Sequence, residues 1–419
     1  MLKQLGPFIS KVLNPLVSRG NAQSPLENKA SYQTRVTGYK TLGSPVWTHE
    51  SYTPLTQEGY ERNPLVYRCV RMISSTLASV PLVIKQADTQ EILDQHPLLS
   101  LLQQPNALYS GHTLFESLLS HLLLSGNAYV QGVQNDRKEF QDLYVLRPDR
   151  VKIIPGFCGE PEAYEYSVDG QTQRLMADGH DNGDGSMSKI LHVKLFNPLN
   201  DWYGLSPLQA ARKSVDIYNA ISGYNLAFIQ NGARPSGALM VKAQYELSDE
   251  ERTRLRDELR MVYEGPHNAG RVAMLEGDFS FQEMGKSPKD CEFIEGKLLV
   301  AREIAQIFGV PPILLGLPGS SAFSNYREAR YHFWQETLLP LLDRVLEELG
   351  QWLALQTETS GNWTLTYDKD AISGLSYHQE SVWERISQAS FLTVNEKREA
   401  LGYPPLDDGG ADQLSDGVM

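Results

Sequence analysis

The string ADGHDNGDGS has the spacing closest to a metal-binding loop in this chain. Asp178, His180 and Asn182 occupy alternate positions, as the first ligands of a calcium-binding loop do, and a glycine follows at the turn. The twelfth position of such a loop requires a bidentate glutamate, whereas this chain has Lys189 there. We therefore predict a solvent-exposed hairpin loop rather than a metal site.

Other residue types that could catalyse a reaction do not form a recognisable motif. The chain has no Gx4GK[ST] phosphate loop, no HExxH metal motif and no GxSxG nucleophile elbow. The three cysteines are widely spaced and the histidines are scattered, so neither a disulfide framework nor a zinc site is indicated. Dispersed Asp and Glu side chains leave a two-metal nuclease open as an alternative. The sequence predicts no catalytic residue, no metal and no cofactor.

The formal net charge of -13 argues against tight DNA binding, because that affinity normally comes from Lys and Arg neutralising phosphates. A monomeric DNA-binding protein is disfavoured further, since no basic patch with interleaved aromatic residues is present. The acidity either keeps the protein in solution or prevents tight binding along a DNA path. No apolar run approaches the roughly 18 residues of a membrane span, which predicts that the protein is not an integral membrane protein.

The first 60 residues are rich in Ser, Thr, Gly, Pro and Asn, which predicts a flexible N-terminal arm with few core contacts. Lysines and apolar residues near the start resemble a signal or surface-binding segment. The segment lacks a long apolar region and a small-residue cleavage site, and Pro7 and Pro15 interrupt it. An arm is therefore the favoured interpretation.

A mixed α+β region should follow the arm. Apolar residues recur at helical spacing from Asn63 to Leu82, where Pro81 ends the helix. A short helix and a longer one running to Gly126 come next, and the longer one is apolar on several sides and should be buried. Short strands are predicted at Val83–Lys85, Tyr129–Val133, Leu143–Leu146, Val151–Ile154 and Glu165–Val168.

Two helices then flank a small insertion. The first runs from Ser206, its N-cap, to Gln230, and the second begins near Pro288 and ends at Gly309. The insertion is predicted to contain a strand, a helix opened by a capping box, and two more strands, at Gly237–Val241, Ser248–Tyr263, Arg271–Leu275 and Phe279–Met284.

The string GVPPILLGLPGSSAFSNYREAR predicts a helix, an ordered loop and a second helix. Gly309 supplies a left-handed cap, Pro311 and Pro312 cannot continue a helix, and the apolar residues after them can anchor the loop. Ser324 or Asn325 can cap the next helix. That helix should run to about Gln356 with a kink near Leu339, because Pro340 lies inside it, and a strand at Trp363–Tyr367 and two closing helices follow.

Eight short strings occur in the order found in the portal proteins of tailed double-stranded-DNA bacteriophages, and the chain resembles that family. They are NPLVYRCVRMISSTLASVPL, HPLLSLLQQPN, LLLSGNAYV, LYVLRPDRV, YGLSPLQAA, FGVPPILLG, SNYREA and LTVNEKREALGYPP. The resemblance implies a ring-forming α+β portal fold around a central DNA channel. The implied regions are an arm at 1–60, a wing at 61–204, a first stem helix at 205–231, a clip at 232–286, a second stem helix at 287–309, a tunnel loop at 310–324, a long kinked helix with a wing strand at 325–375, and a short helical crown at 376–419.

The same resemblance implies where DNA and partners would bind. The tunnel loop would contact DNA through Gly316, Gly319, Ser320, Ser321, Phe323 and Asn325. Lys297 and Arg302 would face the channel from the stem, and Glu250, Glu251, Arg254 and Arg256 would bind partners at the clip.

The implied partners are further copies of the chain in a dodecamer, the DNA in transit, the large terminase subunit, a head-tail adaptor, and a major capsid or scaffold protein. A portal protein would lie at the capsid portal vertex of the virion and in the host cytoplasm during assembly. The alternative from the residues alone is a metal-dependent DNA-processing enzyme of a mobile element.

Overall fold

The computed structural model describes most of the chain from Trp47 onward. The described residues are 47–89, 91–93, 95–135, 139–156, 161–177, 188–230, 237–241, 248–251, 253–254, 257, 279–283, 292–318, 323–355, 363–372, 374–375, 383–389, 391–401, 403 and 405–406. The hairpin loop predicted for the string ADGHDNGDGS, apart from Ala177, lies outside these ranges, and so does most of the predicted clip.

The segment from Trp47 to Tyr60 is packed against the protein, so the predicted arm is wrong for these residues. Helix α1 (Tyr52–Thr56) continues as a π-helical turn (Gln57–Glu61), and Leu55 is buried. Asp216 accepts hydrogen bonds from the Thr48 backbone N–H (2.8 Å) and hydroxyl. Arg212 pairs with Glu50 at 2.6 Å. These partners are more than 160 residues away, so local composition could not reveal them.

Three helices form the layer beside the main sheet: α2 (Pro64–Ala78), α3 (Pro97–Gln103) and α4 (Gly111–Ser125). The side chain of Asn63 caps α2 by accepting from the Leu65 and Val66 N–H groups at 3.0 and 3.1 Å. The apolar face predicted for α2 is buried, and α4 buries residues on several sides, as expected. Gly126 ends α4 with a φ of 76°, in the left-handed region.

The main sheet has six strands in the order β3-β2-β7-β6-β5-β4. They are β2 (Asn127–Gln134), β3 (Phe140–Leu146), β4 (Val151–Pro155), β5 (Pro161–Val168), β6 (Gln171–Met176) and β7 (Ser188–Lys194). Sequence patterns predicted β2 to β5 and missed β6 and β7. Strands β6 and β7 pair in parallel at Met176 and Lys189, and the predicted hairpin loop between them lies outside the described residues.

A second sheet joins distant parts of the chain. Strand β1 (Leu82–Gln86) pairs antiparallel with a strand at Trp363–Tyr367, numbered β10 in chain order. The predicted insertion contributes β8 (Gly237–Val241) and β9 (Phe279–Glu283), which form an antiparallel pair. The predicted strand at Arg271–Leu275 lies outside the described residues. Near the C-terminus, Thr393 and Glu396 form the predicted capping box of a helix at Val394–Ala400, numbered α9 in chain order.

A half-buried histidine joins the sheet to the chain that enters the next helix. The Asn127 side-chain oxygen accepts from the Gly204 N–H at 2.8 Å, and the same oxygen lies 3.0 Å from Nε2 of His192. That oxygen is an acceptor, so Nε2 must carry the proton. The imidazole stacks on Tyr129 with ring centroids 4.4 Å apart. Burial lowers the pKa of His192 from 6.5 to about 3.

This histidine should make the protein less stable in mild acid. Between pH 6.5 and 3 the unfolded chain binds a proton at His192 that the folded chain does not, so stability falls as pH falls. At pH 5 the expected loss is about 2 kcal/mol, at about 1.4 kcal/mol per pH unit. The variant His192→Phe should show a correspondingly smaller difference between pH 7 and pH 5 in urea unfolding, whereas His112→Phe, at an exposed histidine, should behave like the unmodified chain. Equal pH dependence in His192→Phe and the unmodified chain would contradict this role.

Candidate functional site

Two helices that pack side by side correspond to the predicted stem, and the second carries Lys297 and Arg302, the two residues predicted to face the channel from the stem. They are α5 (Pro207–Gln230) and α6 (Phe293–Ile307). Ser206 caps α5 by accepting from the Gln209 N–H at 2.9 Å, as predicted. Ser214 of α5 donates to Glu303 of α6 at 3.0 Å. These helices bury side chains where they meet α2 and α4, and their other ends expose apolar side chains to solvent.

Helix α6 begins later than its apolar pattern predicts. The sequence places the start near Pro288, whereas the structure places it at Phe293. Glu292 has a φ of 49°, which lies in the left-handed region and cannot belong to a right-handed helix. Cys291 lies outside the described residues, and Ile294 in the first turn of α6 is exposed.

The C-terminal end of α6 has the predicted glycine cap. Gly309 has a φ of 67°, and the Val310 N–H donates to the Ala305 carbonyl at 2.9 Å, as in a Schellman motif. Thr337 donates its hydroxyl to the Gly309 carbonyl at 2.7 Å. A Cβ at Gly309 would lie 2.6 Å from that hydroxyl oxygen, so glycine is required both by the backbone and by the close approach. The end of α6 is thereby fixed to the helix that follows the loop.

The first part of the predicted tunnel loop is ordered. A 3-10 turn (Pro312–Leu315) ends at Gly316. The φ of Gly316 is 72°, which lies in the left-handed region that favours glycine. Of the predicted apolar anchor, Ile313, Leu314 and Leu315, the two leucines pack against the core, and Leu317 packs there as well. Arg302, predicted to face the channel, donates to the Pro318 carbonyl at 2.7 Å. This hydrogen bond ties α6 to the last described residue before Gly319.

The loop ends earlier than predicted. Helix α7 (Phe323–His332) already includes Phe323, Ser324 and Asn325, so the predicted capping by Ser324 or Asn325 is wrong. Phe323 and Asn325 therefore belong to the first turn of a helix rather than to the loop. Gly319, Ser320 and Ser321 lie outside the described residues.

The helix after the loop is long, as predicted, and it changes geometry before Pro340. Helix α7 continues as a π-helical segment (Phe333–Leu338) and then as α8 (Leu339–Leu355). Pro340 lacks the N–H that would donate to the Glu336 carbonyl, so the regular α-helical pattern is interrupted there. Thr337, which fixes Gly309, lies within this π-helical segment. The place of the interruption is close to the predicted kink near Leu339.

Lys297 has a specific partner on the neighbouring helix. Its ammonium group lies 4.6 Å from the centroid of the Tyr218 ring of α5, within the range of a cation–π contact. This contact places Lys297 at the junction of the two helices. That Lys297 and Arg302 face a channel remains a prediction.

The predicted partner-binding residues of the clip fall on a short described helical stretch. Glu251 caps this stretch by accepting from both the N–H and the hydroxyl of Ser248 at 2.9 Å, which confirms the predicted capping box. These hydrogen bonds lower the pKa of the Glu251 carboxyl group. Glu251 thus has a structural role, while Glu250 and Arg254 are exposed and Arg256 lies outside the described residues.

The described residues also bear on metal binding and membrane insertion. Among them, no group of three or more His, Cys, Asp or Glu side chains is arranged to hold a metal ion. No helix in the same residues is both long and apolar enough to cross a bilayer.

Comparisons with known proteins identify the family. A model of the phage portal protein family matches residues 64–402. An uncharacterized protein of Rickettsia bellii (strain RML369-C) is 37% identical over 360 residues, which are 84% of this chain and 89% of that protein. The portal protein of Enterobacteria phage HK97 is 27% identical over 352 residues, covering 82% of this chain and 79% of its own length.

Among solved structures, a chain from the neck of a native GTA particle computed with C12 symmetry superposes with a TM-score of 0.66. It is 40% identical and covers 87% of this chain and 96% of its own length. Portal proteins are structural proteins without enzymatic activity, which excludes the DNA-processing enzyme considered from the sequence. The family match over most of the length, together with these relatives, shows that the chain belongs to the phage portal protein family.

Proposed function

We propose that this chain assembles into a dodecameric ring at one vertex of a phage-like capsid and forms the channel through which double-stranded DNA enters and leaves. The observation that carries the proposal is the exposed apolar surface on the outer halves of α5 and α6. Its members are Ile217, Tyr224, Leu226, Ile229, Ile294 and Leu299. The neck of the GTA particle, with its C12 symmetry and its 40% identical chain, supports the choice of a ring.

Ring closure gives a physical reason for this surface. An isolated subunit leaves these side chains in water, at a cost of about 25 cal/mol for each Å² of apolar area. A closed cyclic assembly can bury the same surface in every subunit without leaving open ends. A group of exposed apolar side chains on two neighbouring helices marks an interaction site.

The structure refines the regions that we propose for this ring. We assign α2 to α4, the six-stranded sheet and the β1–β10 pair to the wing, and α5 and α6 to the stem. The tunnel loop becomes 310–322, because α7 begins at Phe323. The clip remains 232–286, where Arg254 and Arg256 are proposed to bind the large terminase subunit and then a head-tail adaptor. The short crown remains 376–419, and a major capsid or scaffold protein is the proposed wing partner.

The acidic chain is compatible with a conduit for DNA. A duplex that must slide should not meet tight binding sites, and affinity for DNA rises with the number of phosphates that a protein neutralises. A net charge of -13 keeps such contacts few. We propose that the protein resides at the portal vertex of the particle and in the host cytoplasm during assembly.

The purified protein is expected to form rings with a central hole without added nucleotide or metal. The paired change Leu226→Asp and Ile229→Asp should shift the mass to smaller species, because it places charges on the exposed apolar surface of α5. Leu355→Asp is the matched control, at a leucine that is 73% exposed at the end of α8. Native mass spectrometry and negative-stain microscopy measure both. A monomer at all salt and protein concentrations would refute the proposal.

A further inference from the structure

The chain between β7 and α5 presents two large apolar side chains to water. Phe196 is 77% exposed and Leu199 is 95% exposed. We call this pair the apolar knob. It lies in the wing, outside the exposed apolar surface of α5 and α6 that supports the ring. A soluble protein usually leaves single apolar side chains exposed, and two neighbouring ones on one loop mark a contact site.

Hydrogen bonds within the loop hold the knob in a fixed position. The Asn197 side chain accepts from the Leu199 N–H at 3.1 Å and donates to the Tyr203 carbonyl at 2.9 Å. The Asn200 side chain accepts from the Trp202 and Tyr203 N–H groups at 2.8 and 3.0 Å. The loop is therefore ordered before any partner binds, which reduces the conformational entropy lost on association.

A groove of about 270 Å³ lies elsewhere on the wing, and its lining is mostly apolar but includes Gln103, Ser110 and His112. It is formed by the end of α2, the start of β1, the helix α3 and the first turns of α4, and we call it the α2–α4 groove. Its apolar lining consists of Leu77, Ala78, Val80, Pro81, Leu82, Leu99, Leu102 and Phe115. The neighbouring residues Leu108 and Tyr109 are exposed and extend the apolar surface beyond its rim.

The knob and the groove lie at opposite ends of α4. The Leu195 N–H, next to the knob, donates to the Gly126 carbonyl at 2.8 Å, just beyond the C-terminal end of α4. The groove is lined by Gly111 and Phe115 from the N-terminal end of the same helix. A helix of 15 residues spans roughly 20 Å, so the knob cannot reach the groove of its own subunit.

We propose that the apolar knob of one subunit inserts into the α2–α4 groove of the next subunit around the ring. This inference rests on the proposed ring. A cyclic assembly of identical chains requires a heterologous contact, in which two different surfaces of the subunit meet. A fixed apolar projection at one end of a rigid helix and an open apolar groove at the other end supply such a pair of surfaces. The occupant of the groove is therefore a second copy of this chain.

Cysteine crosslinking tests the contact directly. Leu199→Cys places a thiol on the knob, and Gln103→Cys places one at the exposed rim of the groove. Cys158 and Cys291 are replaced by serine, and Cys69 is buried. Under mild oxidation the double variant should give a ladder of covalent oligomers up to the full ring. Coexpressed single variants should give covalent dimers and nothing larger, because each chain then carries only one introduced cysteine and can form only one link.

The outcomes separate this inference from the ring itself. Rings seen by microscopy without a covalent ladder would refute the knob contact and leave the proposed function standing. Crosslinking of Leu199→Cys alone would show a knob-to-knob contact and would also overturn the inference. Absence of any oligomer in the unmodified chain would refute the proposed function and, with it, this contact. A pair of Leu199→Cys with Leu355→Cys controls for random collision and should give no ladder.

A second measurement does not depend on disulfide geometry. Leu199→Asp should lower the fraction of chains in rings, because it places a carboxylate in an apolar groove. Leu355→Asp, also at an exposed leucine, should leave that fraction unchanged. An unchanged ring fraction in Leu199→Asp would count against the knob contact.

Discussion

Replacing Trp352 with alanine is expected to lower the free energy of unfolding by about 3 to 5 kcal/mol, the usual cost of removing a buried tryptophan. Trp352 lies on α8 and is only 2% exposed. Its ring packs on Phe140 of β3 with centroids 4.4 Å apart and lies directly over Gly132 of β2, where an added Cβ would come within 2.7 Å of it. Trp352 thus joins α8 to the main sheet.

The expected loss comes from packing rather than from hydrogen bonding. The buried indole N–H of Trp352 has no hydrogen-bond partner among the described residues. Trp352→Phe should therefore cost much less than Trp352→Ala, and Trp383→Ala, at a tryptophan that is 50% exposed, should cost little. Urea unfolding at a fixed protein concentration measures all three, since association also contributes to stability. Equal losses for Trp352→Ala and Trp383→Ala would show that Trp352 does not join these elements.

Local sequence patterns predicted the regular helices well. Ser206 and Pro207 predict the start of α5, and Ser206 caps it in the structure. Gly309, predicted to cap the end of α6, has the expected left-handed conformation. Both signals depend on residues within one turn of the helix end, and the sequence shows them directly. The same applies to the capping box at Thr393.

Features that depend on distant residues could not be predicted in the same way. Strand β6 (Gln171–Met176) is polar over most of its length, so it lacks the alternation that identifies a strand from sequence. The packed segment at Thr48 depends on Asp216, which lies 168 residues away. The late start of α6 depends on the backbone of Glu292, a residue type that rarely adopts a positive φ.

In the candidate site, too, local features could be predicted from the sequence and contacts between distant residues could not. The apolar anchor and the two glycines that bound the 3-10 turn follow from the residue types in the loop. The hydrogen bond from Arg302 to Pro318 does not, because a stem arginine near a channel suggests contact with phosphates. The structure gives Arg302 a contact that positions the loop, so its substitution is expected to affect the loop; that Arg302 also faces a channel stays a prediction.

Both described ends of the proposed tunnel loop are held by side chains from other elements or by helix geometry. Thr337 fixes Gly309 at the start, and Arg302 holds Pro318 shortly before Gly319. Helix α7 begins at Phe323 on the far side. We propose that residues 319–322, which lie outside the described residues, contact DNA in transit, since these fixed ends hold the segment at a constant place between α6 and α7.

Replacing Gly319–Ala322 with a shorter linker is therefore expected to leave rings and particles intact but to yield particles that package poorly or lose their DNA. Arg302→Ala should have the same effect in weaker form, because it releases Pro318 while the residues of the loop remain. Arg344→Ala is the control: it removes an exposed ion pair with Glu348 on α8 and should package normally. Ring assembly is measured by microscopy, and packaged DNA by nuclease protection. Normal packaging and retention in the shortened loop would show that the segment is only a connector between α6 and α7.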